Sequence, residues 1–199
     1  MDLTQRRKAE TEQHIARVAA ELFAAKGVSS TTVEEIAAGA GIGVRTFYRY
    51  FRTKQEAVGP LLAFGARRWR ELLAAVPPDV ELPAALEQAA RRSMAECDAD
   101  TAASFARTRG LLAAAAADAE LRAVWVRVND SSERQLVRVI TERAASTYDA
   151  FDIALLAAAA TTAIRVAMET WAGDPNGTAD TAAQLTGGAV RTLTAGLRR

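Results

Sequence analysis

The sequence predicts an all-α protein, and three observations support this fold class. Alanine, which has the highest helix propensity, is abundant, whereas aromatic residues make up only 6% of the chain. Apolar residues recur three and four positions apart along most of the sequence, which is the spacing of one helix face. No stretch alternates apolar and polar residues as a half-buried strand does. We therefore expect about nine helices and no sheet.

The first predicted helix spans residues 7–26 and carries one apolar stripe. Gly27 follows it and is a typical helix stop. The stripe consists of Ile15, Val18, Ala19, Leu22 and Phe23.

Two short helices are predicted next, at residues 33–39 and 44–50. Thr32 and Glu35 have the three-residue spacing of a capping box, and glycines at 41–43 break the chain between the helices. Two helices of about seven residues joined by a glycine-containing turn match a helix-turn-helix unit. Such short helices are unstable alone, so this unit must pack on the first helix.

The remaining chain reads as a larger helical body. The double proline at 77–78 ends a long fourth helix, and glycine, asparagine and proline at 173–177 separate the last two helices. We predict a helix-turn-helix DNA-binding domain at residues 1–53 and a ligand-binding and dimerisation domain at 54–199. The six predicted helices of the body are 54–76, 83–97, 101–117, 118–146, 149–171 and 178–197.

Composition argues against an enzyme. The chain has one histidine, His14, and one cysteine, Cys97, and lacks both a glycine-rich phosphate loop and paired metal-ligand spacing. We expect no catalytic residue, no metal site and no cofactor. His14 fits a surface position, and Cys97 fits a small packed residue better than a redox sensor.

A cytoplasmic protein without a membrane segment is expected. The N-terminus lacks the apolar core of a signal peptide, and the apolar stretch 153–163 has about half of the roughly 20 residues that a membrane span needs. Residues 1–54 hold nine Lys/Arg and six Asp/Glu, while the whole chain has a net charge of +1. This modest bias fits a phosphate-facing segment, but chance variation can also produce it, so the charge alone decides nothing.

Residues 27–54, GVSSTTVEEIAAGAGIGVRTFYRYFRTK, resemble the N-terminal signature of the TetR family of transcriptional regulators. The match covers about a quarter of the chain, and the remainder agrees only in its helical layout. The resemblance implies a homodimer that represses nearby genes and leaves its operator when a small molecule enters the C-terminal domain. A constitutive or activating DNA-binding protein without an effector is the alternative. The matching elements are Gly27, Thr31, Thr32, Ile36, Ala37, 40–42, 46–48, Tyr50, Phe51 and Lys54.

The helix at residues 44–50 is the predicted DNA-reading element. Phe47 and Phe51 lie four residues apart and should face inward, which leaves the polar side chains outside. Arg45 and Thr46, near the helix start, are expected to contact base edges in the major groove. Arg49 suits either a base or a phosphate. The apolar side chain of Val44 suits a thymine methyl group.

The other predicted DNA contacts go to phosphates. Tyr48 and Tyr50 carry suitable hydroxyls, although Tyr50 also reads as a half-buried packing residue. Thr32 and Lys54, at helix starts, are the remaining candidates. Gly43 stands where the family often has serine, and glycine is an acceptable helix cap without a side-chain acceptor.

A ligand pocket is implied by the resemblance. Large residues on the central helices are candidate pocket walls, although each also reads as ordinary core. The segment 81–86 and the arginine-rich helix after it resemble regulators that sense acyl-CoA-like or other lipophilic molecules. The candidate ligand-binding residues are Phe64, Trp69, Met94, Phe105, Arg109, Leu112, Trp125 and Asn129, with Ser132 as a further polar candidate.

The last two predicted helices suit a homodimer interface because small residues allow close approach. Two such helices per subunit can form a four-helix bundle across a two-fold axis. That arrangement would place two reading helices about 34–36 Å apart, or a multiple of one DNA turn, on a pseudo-palindromic operator. The small residues are Ala154, Ala157, Ala158, Thr161, Gly187 and Gly188.

Overall fold

A computed structural model describes residues 3–95, 99–144 and 147–197, and this part of the chain is helical and contains no strand. The all-α prediction is confirmed. Two 3-10 turns, Glu56–Val58 and Ala195–Leu197, accompany the α-helices. The α-helices in the described part are α1 (Leu3–Lys26), α2 (Val33–Gly39), α3 (Val44–Tyr50), α4 (Gly59–Leu62), α5 (Phe64–Ala74), α6 (Leu82–Ala95), α7 (Ala99–Ala115), α8 (Ala119–Ala144), α9 (Ala150–Gly173) and α10 (Ala179–Thr194).

The single long helix predicted at residues 54–76 is wrong. The chain instead forms the 3-10 turn Glu56–Val58, the four-residue α4 and then α5. Pro60 lies at the start of α4. Because proline lacks an N–H and its ring clashes with the carbonyl four residues earlier, an α-helix cannot run through it undisturbed. Counting this broken segment once gives the nine predicted helices within the described residues.

His14 lies exposed on α1, as predicted. Cys97 lies outside the described residues, and so do the predicted helix ends at Cys97 and Ser146.

The described chain forms two compact units. The first comprises residues 3–64 and 104–128, in which α1 packs on α2, α4 and the 3-10 turn before α4. The approach of α1 to α2 is close, because a Cβ atom on Gly39 would lie 2.8 Å from Cγ1 of Val18. The helix-turn-helix therefore rests directly on α1. The predicted domain boundary after residue 53 stays a prediction.

The second unit comprises the described residues of 65–103 and 129–197. Its α10 packs on both α6 and α9. Trp69 lies in its apolar core and donates its indole N–H to the Leu86 carbonyl at 3.3 Å. Arg143 donates to the carbonyls of Val76 and Val80 at 2.7 and 3.0 Å, which ties α8 to the loop after α5.

Part of the predicted set of small interface residues serves this unit's own packing. Ala157 and Thr161 are buried on α9. A Cβ atom on Gly187 would lie 2.3 Å from Cγ of Arg91, so Gly187 makes room for an α6 side chain. Assigning Gly187 to the approach of a second subunit is therefore wrong. Gly188 has open space around it.

Helix α9 is long and apolar enough to cross a membrane by length and composition, with a mean hydropathy of 1.6 in its most apolar window. The sequence-based expectation, drawn from 153–163 alone, underestimated this stretch. Core helices of soluble proteins pass the same test. Leu156, Ala160 and Ala163 on α9 are buried in the core of the second unit.

Candidate nucleic-acid interface

The start of α2 is fixed by a reciprocal capping box. The Thr32 hydroxyl accepts the Glu35 amide at 3.2 Å, and the Thr32 amide donates to Oε2 of Glu35 at 2.9 Å. The neighbouring Thr31 is buried and donates its hydroxyl to the Gly27 carbonyl at 2.9 Å. The predicted capping box is confirmed, and the loop between α1 and α2 is held at both ends.

Two lysines extend this anchor. The Lys26 ammonium forms an ion pair and hydrogen bond with Glu35, which together with the Thr32 amide lowers the pKa of Glu35 from 4.5 to about 2. Nζ of Lys54 donates to the carbonyls of Thr31 and Ser29 at 2.7 and 3.3 Å. An ammonium has three donors, so Lys54 keeps one for another acceptor.

The turn between α2 and α3 depends on Gly41. Its φ of +66° lies in the left-handed region, which glycine enters without strain. The Ile42 amide then donates to the Ala37 carbonyl at 2.9 Å, closing the end of α2. After the turn, α3 begins at Gly43 without a side-chain cap, as predicted.

Helix α3 has a buried aromatic face. Phe47 is fully buried and Phe51 is 8% exposed, and their ring centroids lie 5.8 Å apart. The predicted inward orientation of both rings is confirmed. Tyr48 contacts the edge of Phe47, with centroids 5.6 Å apart, yet stays 53% exposed.

The opposite face of α3 is polar and open to solvent. Arg45 and Arg49 are exposed, while Thr46 and Tyr50 are half-buried. The Arg49 guanidinium lies 5.4 Å from the Tyr50 ring centroid, a cation–π contact that restrains both side chains. Within the described residues, Arg45 has no hydrogen-bond or ion-pair partner.

The predicted DNA contacts fall into two groups. Seven lie at or beside α3, namely Gly43, Val44, Arg45, Thr46, Tyr48, Arg49 and Tyr50. Thr32 lies at the start of α2, and Lys54 follows α3 but places its ammonium at the loop before α2. The polar atoms of both side chains already bond to the protein. Sequence reasoning missed the bonds of Lys54 because its acceptors are backbone carbonyls 23 and 25 residues away.

The predicted ligand-binding residues divide between the two units. In the first unit, Phe64 and Phe105 meet edge to face with centroids 6.0 Å apart. The first unit also contains Arg109, Leu112 and Trp125, and the second contains Trp69, Met94, Asn129 and Ser132. None of these residues lines the two described cavities, one between α1 and α7 and one along α10. Their assignment to a pocket stays a prediction.

Comparison with known proteins identifies the helix-turn-helix segment. Residues 15–58 match the family profile described as "Bacterial regulatory proteins, tetR family". The chain is 49% identical over 49 residues to a protein of Mycobacterium tuberculosis named as the mycofactocin biosynthesis transcriptional regulator MftR. It is 44% identical over 62 residues to the HTH-type transcriptional regulator TcmR of Streptomyces glaucescens. The resemblance to the TetR family is confirmed.

These two alignments cover 25% and 31% of this chain, and the chain spans about a quarter of each relative's length (25% and 27%). Solved TetR-family structures extend the likeness of fold. The repressor AlkX of a Dietzia strain aligns with a TM-score of 0.62 at 18% identity, covering 92% of this chain and 96% of AlkX. The repressor FadR of Thermus thermophilus, solved with lauroyl-CoA, aligns with a TM-score of 0.58 at 21% identity, covering 94% and 95%. The chain therefore has the TetR-like fold.

Among the described residues, no group of three or more His, Cys, Asp or Glu side chains is arranged to hold a metal ion.

Proposed function

We propose that this protein is a cytoplasmic, homodimeric transcriptional repressor that binds a pseudo-palindromic operator through α3 and leaves it on binding a small lipophilic ligand. The observation that carries the proposal is the division of α3 into two faces. Phe47 and Phe51 anchor the helix through their buried rings. Arg45 and Arg49 are exposed to solvent on the second helix of the helix-turn-helix, which is the one that reads DNA in such units. The curated relatives matched over this segment are named as transcriptional regulators, not as enzymes.

Arg45 and Thr46 are the proposed base-reading residues, because N-terminal residues of a reading helix reach base edges. Tyr48, Tyr50 and the free donor of Lys54 are proposed to bind phosphates. Gly43, Val44, Arg49 and Thr32 complete the proposed contact set. Selection from a random pool of DNA duplexes tests this: we expect one enriched pseudo-palindrome with half-sites about one turn, or a multiple of it, apart. Recovery of unrelated sequences would contradict specific binding.

The dimer interface is proposed to use α9 and α10. Phe151, Leu155 and Val166 form a stripe on one side of α9 and are 73%, 41% and 47% exposed. Leu185 and Leu193 on α10 are 39% and 48% exposed. Large apolar side chains exposed in a row on one helix typically mark a protein contact. The accessible Ala154, Ala158 and Gly188 allow the close approach of a second copy.

Analytical ultracentrifugation of two matched variants tests the interface. Val166→Glu puts a charge into the α9 stripe, and Val126→Glu puts the same charge at a 50% exposed valine on α8. We expect a dimer for the wild type and Val126→Glu at micromolar concentration, and a monomer for Val166→Glu. Equal association of both variants would contradict this interface.

The effector is proposed to be lipophilic because FadR, similar in fold, was solved with lauroyl-CoA. Thermal unfolding with lauroyl-CoA tests this directly. A ligand at 100 times its dissociation constant adds about 2.7 kcal/mol of stability. We expect such a shift together with release of the selected operator. Absence of both effects, or a shift without release, would favour the alternative of a regulator without this effector.

A further inference from the structure

A cleft in the first unit lies between α1 and α7 and has a volume of about 320 Å³. This volume falls within the range of small-molecule sites, about 300–1,000 Å³. Its floor includes Phe23 from α1 and Leu111 from α7, both buried and apolar. Ala24 and Gly110 contribute to its two walls. The cleft contains none of the residues assigned above to DNA or to the effector.

Gly110 leaves this cleft open although the fold does not require a glycine there. It lies inside α7, where glycine is a poor helix former, and its φ is not positive. A Cβ atom built on Gly110 would meet nothing within 4 Å. An alanine would therefore fit and favour the helix. Because Gly110 lines the cleft, its missing side chain leaves space there.

Arg107, on the α7 wall, supplies donors without matching acceptors. Its Nη2 donates to Oγ of Ser104 at 3.2 Å, whereas its Nε is buried without a hydrogen-bond partner in the described residues. A guanidinium has five donors in a planar fork that matches a carboxylate. Glu21 lies on the α1 wall of the same cleft but forms no ion pair with Arg107 in the described structure. The positive charge at the cleft is therefore not neutralised by a direct partner.

We propose that the α1–α7 cleft binds a small organic molecule with an apolar body and one carboxylate group. The body lies on Phe23 and Leu111 in the space beside Gly110, and the carboxylate accepts from Arg107. Such a ligand combines the two properties of the cleft, an apolar floor and an arginine with unused donors.

Isothermal titration with octanoate and with octanol, as an uncharged match, tests the site without DNA, so its outcome is independent of the proposed function. Gly110→Leu fills the cleft from α7, and Ala24→Leu fills it from α1. Gly110→Ala is the control, since one methyl group takes little of the volume. We expect saturable octanoate binding to the wild type and to Gly110→Ala, and its loss in both leucine variants.

A second comparison tests whether binding requires the negative charge of the ligand and the positive charge of Arg107. Because a charge-assisted hydrogen bond is lost, Arg107→Met should weaken octanoate binding about tenfold and leave octanol binding unchanged. Glu21→Gln removes a negative charge that repels the octanoate carboxylate, so it should strengthen octanoate binding. Absence of saturable octanoate binding to the wild type overturns the proposal. Undiminished binding in a folded leucine variant, or equal losses for octanoate and octanol in Arg107→Met, also overturns it.

Discussion

Helices α2 and α3 have the same length, seven residues, but are held in opposite ways. The first turn of α2 is fixed by polar bonds among Thr32, Glu35 and Lys26. The first turn of α3 begins at Gly43 and has no such cap. Its stability comes from Phe47 and Phe51 beneath it.

This difference shows which of the two helices has polar groups available to bind a partner. The polar groups at the start of α2 are used inside the protein, so α2 supports the turn and α3. In the first turn of α3, Arg45 is exposed and Thr46 is half-buried, and burial of the aromatic face fixes the orientation of the helix that carries them. A helix anchored from its buried face can present its first turn to DNA without losing its own support.

The largest expected loss of stability comes from Phe47→Ala, which removes the buried anchor of α3. Removing a fully buried phenylalanine should lower the free energy of unfolding by about 3–5 kcal/mol, through lost burial and a cavity. Tyr48→Ala is the comparison on the exposed side, and it should cost only about 0.5–1.5 kcal/mol, the value of its edge-to-face contact with Phe47. Chemical denaturation measures both. Similar losses would mean that α3 is not anchored through Phe47.

Thr32→Ala tests the polar anchor of α2. Loss of the cap should cost about 1 kcal/mol, measured by the same denaturation. Thr53→Ala provides a comparison at a second cap, since the Thr53 hydroxyl accepts the Glu56 amide at 3.2 Å and Glu56 pairs with Arg127 at 3.4 Å. An unchanged stability in Thr32→Ala would show that the capping box does not support α2.

Glu35 makes the anchor of α2 sensitive to acid. Its pKa is lowered from 4.5 to about 2, so the folded protein holds the charged form more strongly than the unfolded chain does. The stabilisation is complete above pH 4.5 and is lost as the pH falls towards 2. The stability difference between the wild type and Glu35→Gln should therefore shrink over that interval. A difference that stays constant from pH 6 to pH 2.5 would contradict the Lys26–Glu35 pairing.

The smallest effect is expected for Gly43→Ser, which adds a side-chain acceptor at the start of α3. Serine at a helix start exceeds glycine by only a few tenths of a kcal/mol. A Cβ atom at Gly43 meets nothing within 4 Å, so no clash offsets this gain. A clear loss of thermal stability would show that α3 requires glycine at this position.

The sequence predicted the helix-turn-helix well because its signals are local. Both predicted ranges, 33–39 and 44–50, coincide with α2 and α3, since a capping box and a glycine turn mark their ends. The error at the fourth helix also has a local cause, because Pro60 lies just after the 3-10 turn that interrupts the predicted helix.

Other features depend on residues far apart in sequence. Lys54 bonds to carbonyls before α2, and Gly187 makes room for Arg91 on another helix. Periodicity places a residue on a helix face but does not say which helix covers that face. For the same reason the α1–α7 cleft could not be predicted from either helix alone.

DNA titration of Arg45→Ala tests the central claim, that α3 reads bases from its exposed first turn. Affinities for the selected operator and for random duplex are compared with those of Lys54→Ala, at several salt concentrations. Arg45→Ala should lose about 1–3 kcal/mol on the operator and relax one base position, whereas Lys54→Ala should weaken both duplexes alike and lower the salt slope by about one. Equal losses on operator and random DNA for Arg45→Ala would contradict base reading by α3.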